Sequence, residues 1–485
     1  MERVADVAVI VAYFVLILGA GYWGLRRAKT AEDFLVAGRR LGPFMYTGAL
    51  SAVVLGGAST IGGVQLGYEN GISGMWLVVM IGLGVIALGV LVSTRLSRLG
   101  LYTVSEMLQH RYGRATRLVS AIVIAVYALM IAVTSTIAIG TVLDVVIGLP
   151  PQAAILLAGG VVVAYTAAGG MWSITLTDVV QFVIMTVGIF LALLPVAVAT
   201  AGGFDGMAEE LPESYFELGA IGGETIFTYF LLFFFGLMIG QDIWQRVFTA
   251  RSPGVARWGS VAAGGYCLLY GVAGALVGAA AKVLLPRLQE TGNAFARITT
   301  DVLPLGVSGL VLAAAMAAVM STASAGLIAS STILANDVYG GFLARGEDNR
   351  VRANRIATLL VGVLMLAISV AVNDVVGALT VAYDLLTGAL FVPIVGALFW
   401  RRATTAGALA SIAVSSVVVV VLLVLRGLSS NDPIIYGMLT SLVVFVAVSL
   451  LTPAQPTADL DRWERRLRLG PEAEPGSVAV PGETR

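Results

Sequence analysis

One cysteine and one histidine in 485 residues leave little for redox or metal chemistry. Cys267 alone forbids an internal disulfide, and together with His110 it cannot build a His/Cys metal site. Charge is scarce as well. Asp, Glu, Lys and Arg make up 12% of the chain, about half the roughly 25% of a soluble domain. Such a chain cannot cover a water-facing surface. An ordinary soluble enzyme, a nucleic-acid binder and a disordered protein are therefore excluded. The 29 basic and 29 acidic residues cancel, so no polyanionic partner is implied.

What the chain has in abundance is apolar sequence: 58% hydrophobic residues, with a mean hydropathy of +0.93. These residues come in blocks, and a bilayer-spanning helix needs about 20 of them in a row. The blocks predict about thirteen transmembrane helices, so the fold class is an all-α integral membrane protein. The expected spans include 43–68, 75–94, 152–168, 176–200, 226–248, 305–335 and 376–399, numbered 2, 3, 5, 6, 7, 9 and 11. The first block, 5–25, lacks a basic leader and a cleavage site, so it is read as a span rather than a signal peptide. Lysine and arginine set the orientation. With the N-terminus outside, all but five of the 29 basic residues (Arg3, Lys282, Arg287, Arg297 and Arg426) fall on the inner side. The C-terminal tail is then cytoplasmic. Its piece Asp461 to Arg468 is basic and amphipathic, suited to an anionic leaflet or to a solvated helix end.

Three spans are irregular. In span 2, Gly56-Gly57 and Gly62-Gly63 flank Ser59-Thr60 in mid-membrane. Glycine costs about 1 kcal/mol per residue in a helix, so the pattern predicts unwinding here, or else close small-residue packing. Span 7 places Gly236 and Gly240 before Gln241-Asp242. Interrupted helices five spans apart, crossing in opposite senses, are what an inverted five-helix repeat produces. Span 9 carries Ser321-Thr322, whose hydroxyls point back toward carbonyls such as that of Ala318. With the carbonyls of a break at Ala58–Ile61 they would form an oxygen cage for a hard cation; otherwise they are satisfied within their own helix. Charges inside spans are few. Asp178 opens span 6 and could be a plain helix cap. Asp242 stands four residues before Arg246, the spacing of an ion pair. Asp384, beside Tyr383, has no evident basic partner; it is neutral, paired across the bundle, or the counter-charge of a cation.

Together these segments resemble the sodium/solute symporter family. The stretch Tyr165-Thr166-Ala167-Ala168-Gly169-Gly170 to Thr177-Asp178-Val179-Val180-Gln181 is similar to its most recognisable signature. Gln245-Arg246, Ala318-Val319-Met320-Ser321-Thr322 and the loop Tyr102-Thr103-Val104-Ser105-Glu106 to Arg111-Tyr112-Gly113 fit as well. The resemblance runs through roughly residues 30 to 400 and implies a leucine-transporter-like fold with sodium co-transport. It implies a sodium site on the carbonyls of Ala58, Ile61 and Ala318 and the hydroxyls of Ser321 and Thr322. It also implies an acidic residue, Asp178, on the sodium exit route, and substrate contacts at Gln65, Gln241, Tyr383 and Asp384. Thr60 stands where proline-transporting relatives carry an aspartate, and span 3 lacks the acidic residue of sugar transporters.

The expected organisation is a first peripheral helix (1–30), a core (31–402) with halves at about 41–200 and 225–402, two peripheral helices (403–452) and a tail (453–485). The expected function is sodium-coupled import of a small polar organic solute, leaning to an organic cation or zwitterion. A monocarboxylate symporter and a transporter-like membrane sensor are the alternatives. The partners are solute, sodium and the bilayer of the plasma membrane, with no nucleic acid, no enzymatic activity and a functional monomer.

Overall fold

The apolar blocks become helices because a helix closes its backbone hydrogen bonds within one segment, as lipid requires. The computed structural model describes residues 4–339, 347–372, 375–428 and 430–470. In chain order the first helices are α1 (Val4–Arg27), α2 (Ala31–Val36), α3 (Pro43–Val54), α4 (Gly57–Asn70), α5 (Trp76–Leu91), α6 (Ser93–Arg98), α7 (Val104–Tyr112), α8 (Arg114–Ile147), α9 (Pro151–Met185) and α10 (Leu194–Thr200). There follow α11 (Gly203–Glu210), α12 (Gly223–Tyr229), α13 (Phe235–Ile239), α14 (Gln241–Val247), α15 (Pro253–Leu284), α16 (Ala294–Val302) and α17 (Val307–Ile333). The last are α18 (Glu347–Ala371), α19 (Val375–Phe399), α20 (Thr405–Arg426), α21 (Asp432–Leu451) and α22 (Thr457–Leu469). Hydroxyl caps fix several starts: Thr30 with Asp33 forms a capping box on α2, and Thr103 and Thr404 accept amide protons at α7 and α20.

Ten helices among the described residues are long and apolar enough to cross a membrane, and the bent pair Gly223–Ile239 and Gln241–Val247 makes eleven. The expected thirteen is not reached on that count. The difference lies in two helical runs, Gly57–Leu91 (35 residues) and Pro151–Thr200 (50 residues), each of which holds or overlaps two expected spans. At about 1.5 Å per residue such runs are far longer than the roughly 30 Å of hydrocarbon. Both carry a glycine with positive φ part-way: Gly71 at 60° and Gly170 at 53°. At Gly170 the backbone packs so closely on the Phe34 carbonyl that a Cβ would lie 2.4 Å from its oxygen. That approach and that φ together explain the glycine at the junction of expected spans 5 and 6.

The middle of the bundle is α17, buried over 94% of its apolar window, against 28% for α1 and α21 and 33% for α20. Its alanines let α8, α9, α1 and α3 approach closely. At its start, the Asp6 carboxylate of α1 accepts from Gly306 N, Gly309 N and Ser308 Oγ at 2.7–2.9 Å. The loops expected on one side are joined to each other. Arg39 donates to the carbonyls of Leu101 and Phe248, Arg111 to that of Ala403, and Arg98 to that of Arg468. The opposite loops are joined likewise, through Ser73 to Leu218 O and Tyr215 to Tyr68 O. The charge asymmetry of the sequence therefore coincides with a physical two-sidedness of the bundle.

Candidate functional site

The first break falls at Leu55–Gly56, between α3 and α4, where Leu55 has ψ 62° and Gly56 ψ −161°. It lies a few residues before the expected Ala58–Ile61. Ala58 and Ile61 sit inside α4, where carbonyls belong to the helix ladder, so the freed carbonyls come from the end of α3. Thr322 Oγ1 donates to Val53 O at 2.7 Å and lies 3.4 Å from Ala318 O, while Ser59 Oγ donates to Val54 O at 3.3 Å. Thr322 and Ala318 of the expected set thus meet the break at Val53, while Ala58 and Ile61 lie a few residues into α4. Gly56 is required for this contact, since a Cβ there would lie 2.5 Å from Thr322 Oγ1. Gly56→Ala should destabilise the α3–α17 junction by about 1–3 kcal/mol, read as a lower unfolding midpoint of the purified protein.

Ser321 does not join that cluster. Its hydroxyl points to α9 and donates to Asp178 Oδ1 at 2.6 Å, while Arg246 Nη2 of α14 binds Asp178 Oδ2 at 3.2 Å. Asp178 is therefore no helix cap: it sits within α9, fully buried, between a hydroxyl and a guanidinium. The same contact replaces the expected Asp242–Arg246 pair. Around it, Gln181 donates to Tyr13 OH, Tyr165 OH to Met320 O, and Gln245 to Leu35 O and Thr332 Oγ1.

The second break is at Gly240, between α13 and α14, with ψ 133°. It releases α14 at an angle of 43° and sets Asp242 in the new first turn. A cavity of about 40 Å³ lies between the two breaks. Val53, Gly56, Ala58 and Ser59 line one side, Thr134 and Ser135 of α8 another, and Phe233, Asp242 and Tyr383 the third, with Thr322 reaching in as well. One water needs roughly 10–15 Å³ of such space, so this conformation is closed down around a few waters' room. Tyr127 OH donates to Asp242 Oδ1 at 3.0 Å. Edge-on aromatic contacts join Tyr127 to Tyr383 (5.6 Å) and Phe233 to Tyr383 (5.2 Å). The only carboxylate among the described residues of the cavity wall thus stands close to aromatic rings.

Of the four expected substrate residues, only Tyr383 lines this cavity. Gln65 is half-buried near the 291 loop, bonded to Glu69 and Thr291. Gln241 is buried but committed to the backbone: it accepts from Val104 N (2.8 Å) and donates to Tyr102 O (3.0 Å). Asp384 is buried, and neither oxygen has a hydrogen-bond partner among the described residues. One helical turn further on, Gly388 packs against Gly437 and Val419, so this row of α19 faces α20 and α21 rather than the cavity. Asp242 is the residue that the sequence reading missed. Its signal was its place directly after the glycine break, where a carboxylate meets a helix start.

The sodium:solute symporter family matches over residues 34–415. The chain belongs to that family. A relative, the high-affinity proline transporter PutP of Bacillus subtilis, is 28% identical over 467 residues, covering 91% of this chain and 97% of its own. High-affinity choline transporter 1 of Caenorhabditis elegans is 26% identical, covering 86% and 77%. The sodium/pantothenate symporter of Escherichia coli is 26% identical, covering 93% and 97%. Among solved structures, a sodium-coupled sialic acid symporter in its outward-open state superposes with a TM-score of 0.82 at 19% identity, over 93% of this chain and 98% of that one. Mhp1, a nucleobase-cation-symport family transporter, does so at 0.58 and 17% identity, over 89% and 97%. The fold is therefore leucine-transporter-like. As a sodium:solute symporter the protein is a multi-pass membrane transporter rather than an enzyme, and sodium is its co-transported ion.

Proposed function

We propose that this symporter imports a small organic cation or zwitterion with sodium across the plasma membrane, by alternating access. The observation that carries this reading is the Asp242 carboxylate, which shares the cavity between the two helix breaks with the rings of Phe233 and Tyr383. A buried carboxylate is costly unless a positive group neutralises it, and aromatic faces attract cations. The acid on the wall disfavours an organic anion. The relatives named for proline and choline carry solutes of the charge types proposed.

The sodium site is proposed at the α3–α17 junction, built from the Val53 and Ala318 carbonyls and the Thr322 hydroxyl. Ser321 and Asp178 would form the next oxygens on the ion's way out. These are all oxygen donors, as a hard monovalent cation prefers. Sodium binding there would tie α3 to α17, and solute binding would draw α14 toward α4; the coupling follows from each ligand favouring one arrangement. One ion is worth about 2.3 kcal/mol per 100 mV, enough for roughly fifty-fold accumulation. The core is proposed at 31–402, with halves 41–200 and 225–402 each opening on a broken helix. The helices α1, α20 and α21 flank it.

Uptake into proteoliposomes under an imposed sodium gradient tests the reading, with the solute first found by thermal-shift screening with and without sodium. Accumulation that ignores the gradient would sink it. The orientation has its own check. A cysteine replacing Ser477, which lies outside the described residues, should resist an impermeant thiol reagent in intact cells and react in inverted vesicles. The reverse pattern would overturn the assignment.

A further inference from the structure

Away from the transport cavity, α22 folds back onto α6, α7 and the 400–404 turn and lines an open cleft of about 280 Å³. This is far more space than the roughly 10–15 Å³ that admits one water. One stripe of α22 faces it: Asp459, Arg462, Trp463 and Arg466, at the i, i+3, i+4, i+7 positions of a single helix face. The acids on the rest of the helix are engaged elsewhere, since Asp461 and Glu464 pair with Arg401 at 3.2 and 2.6 Å. From α7, His110 and Arg111 complete the wall.

The charge balance of this wall is one-sided. Three arginines (Arg111, Arg462 and Arg466) stand against one aspartate, Asp459, which is 3.6 Å from Arg462. Arg466 Nη1 lies 3.0 Å from His110 Nδ1, and because a guanidinium can only donate, that imidazole nitrogen accepts. Among the described lining residues, 3 arginines against 1 aspartate leave an excess of 2 positive charges. The wall is also rigid. Arg111 is 5% exposed, fixed by the carbonyls of Arg401 and Ala403 and by Gln455. Trp463 is anchored by its indole N–H to Ala397 O at 2.8 Å. Arg111 spends its guanidinium on those acceptors, so the forks offered to phosphate oxygens are those of Arg462 and Arg466.

We propose that this cavity binds a phosphate group, carried by a soluble anion or by an anionic lipid headgroup, and that the bound group fastens α22 to α7. The helix α7 leads directly to the transport site. Its Val104 N–H is held by Gln241, the neighbour of Asp242. Occupancy of the basic cavity would therefore stiffen the support of the second helix break.

The test uses the full-length protein in detergent, titrated with potassium phosphate against potassium chloride at equal ionic strength. The unfolding midpoint should rise saturably with phosphate alone. In R462Q/R466Q the half-saturating phosphate should increase at least tenfold, while the stabilisation by sodium persists as proof of folding. Arg465→Gln removes an exposed charge of the same helix outside the cavity and should respond as wild type. If the double variant does not fold, R462Q alone is measured and should show the same direction. A second arm compares nanodiscs of phosphatidylcholine with discs containing phosphatidic acid. Stabilisation by phosphatidic acid without a response to free phosphate, lost in the variant, identifies the headgroup as the source. A response to free phosphate identifies the soluble anion. No effect of either probe on wild type, or an equal effect on the double variant, overturns the proposal.

Discussion

Replacing Thr322 with alanine should raise the sodium concentration for half-maximal uptake roughly ten- to hundredfold. The hydroxyl bonds across the helix interface to Val53 O at 2.7 Å, closer than its own-helix contact with Ala318 O at 3.4 Å. It is therefore placed for the gap between α3 and α17 rather than merely folded back on α17. Losing it removes one side-chain oxygen from a site whose remaining donors are carbonyls fixed by helix geometry. A lost bond to a charged group costs on the order of 1.5–3 kcal/mol. Thr322→Ser keeps the oxygen and should stay near wild type, whereas Thr322→Cys should resemble alanine, because sulfur is a poor ligand for a hard cation. Ser321→Ala acts differently. It strips Asp178 Oδ1 of its hydroxyl and leaves Arg246 on the other oxygen. Its effect belongs on ion release more than on binding. Sodium-titrated uptake at matched expression separates the two, and an unshifted sodium dependence for Thr322→Ala would remove this junction as the ion site.

The positions of the two breaks could be read from the sequence within a few residues, because only glycine clusters in mid-membrane weaken a helix so locally. The register could not. Gly56-Gly57 and Gly62-Gly63 offer two places to unwind, and what selects the first is that α17 must come against Gly56 with Thr322 facing it. That is a tertiary contact between residues 266 positions apart (322 − 56), with no local signature. The same limit explains Asp242. Its spacing to Arg246 fits an ion pair along one helix, and the pair is not made, because Asp178 on α9 offers Arg246 a buried partner already held by Ser321. A polar residue in a span announces itself in sequence, but its partner is chosen by the packing of three helices. Gln241 makes the point from the other side. Its position suggests a cavity residue, yet it spends both ends of its amide on backbone at the start of α7, the Val104 N–H and the Tyr102 carbonyl. The continuous helices are fewer than the thirteen expected spans because two runs pass through a positive-φ glycine instead of ending in a loop, each overlapping two of those spans.

Asp242→Asn should have the largest effect on the solute itself. Asparagine keeps the shape of the side chain and can still accept the Tyr127 hydroxyl proton, so the fold and the second break should survive. What disappears is the only carboxylate among the described residues of the cavity wall, buried at 4% exposure beside Tyr127 and near Tyr383 and Phe233. Removing one partner of a buried charge pair costs about 3–5 kcal/mol. The apparent affinity for a cationic solute should therefore fall on the order of a hundredfold or more. A zwitterion keeps its carboxylate contacts and should lose less. Sodium stabilisation of the purified variant should remain near wild type, since the α3–α17 junction is untouched. Tyr127→Phe removes the hydroxyl that orients Asp242 but leaves the charge and the ring, and it should weaken the same solute by less than Asp242→Asn does. Measuring uptake and sodium-dependent thermal stability on the same preparations distinguishes a lost counter-charge from a damaged protein. Full affinity for the cationic solute in Asp242→Asn, with normal sodium stabilisation, would mean that the carboxylate does not face the solute, and the charge type proposed for the substrate would have to be abandoned.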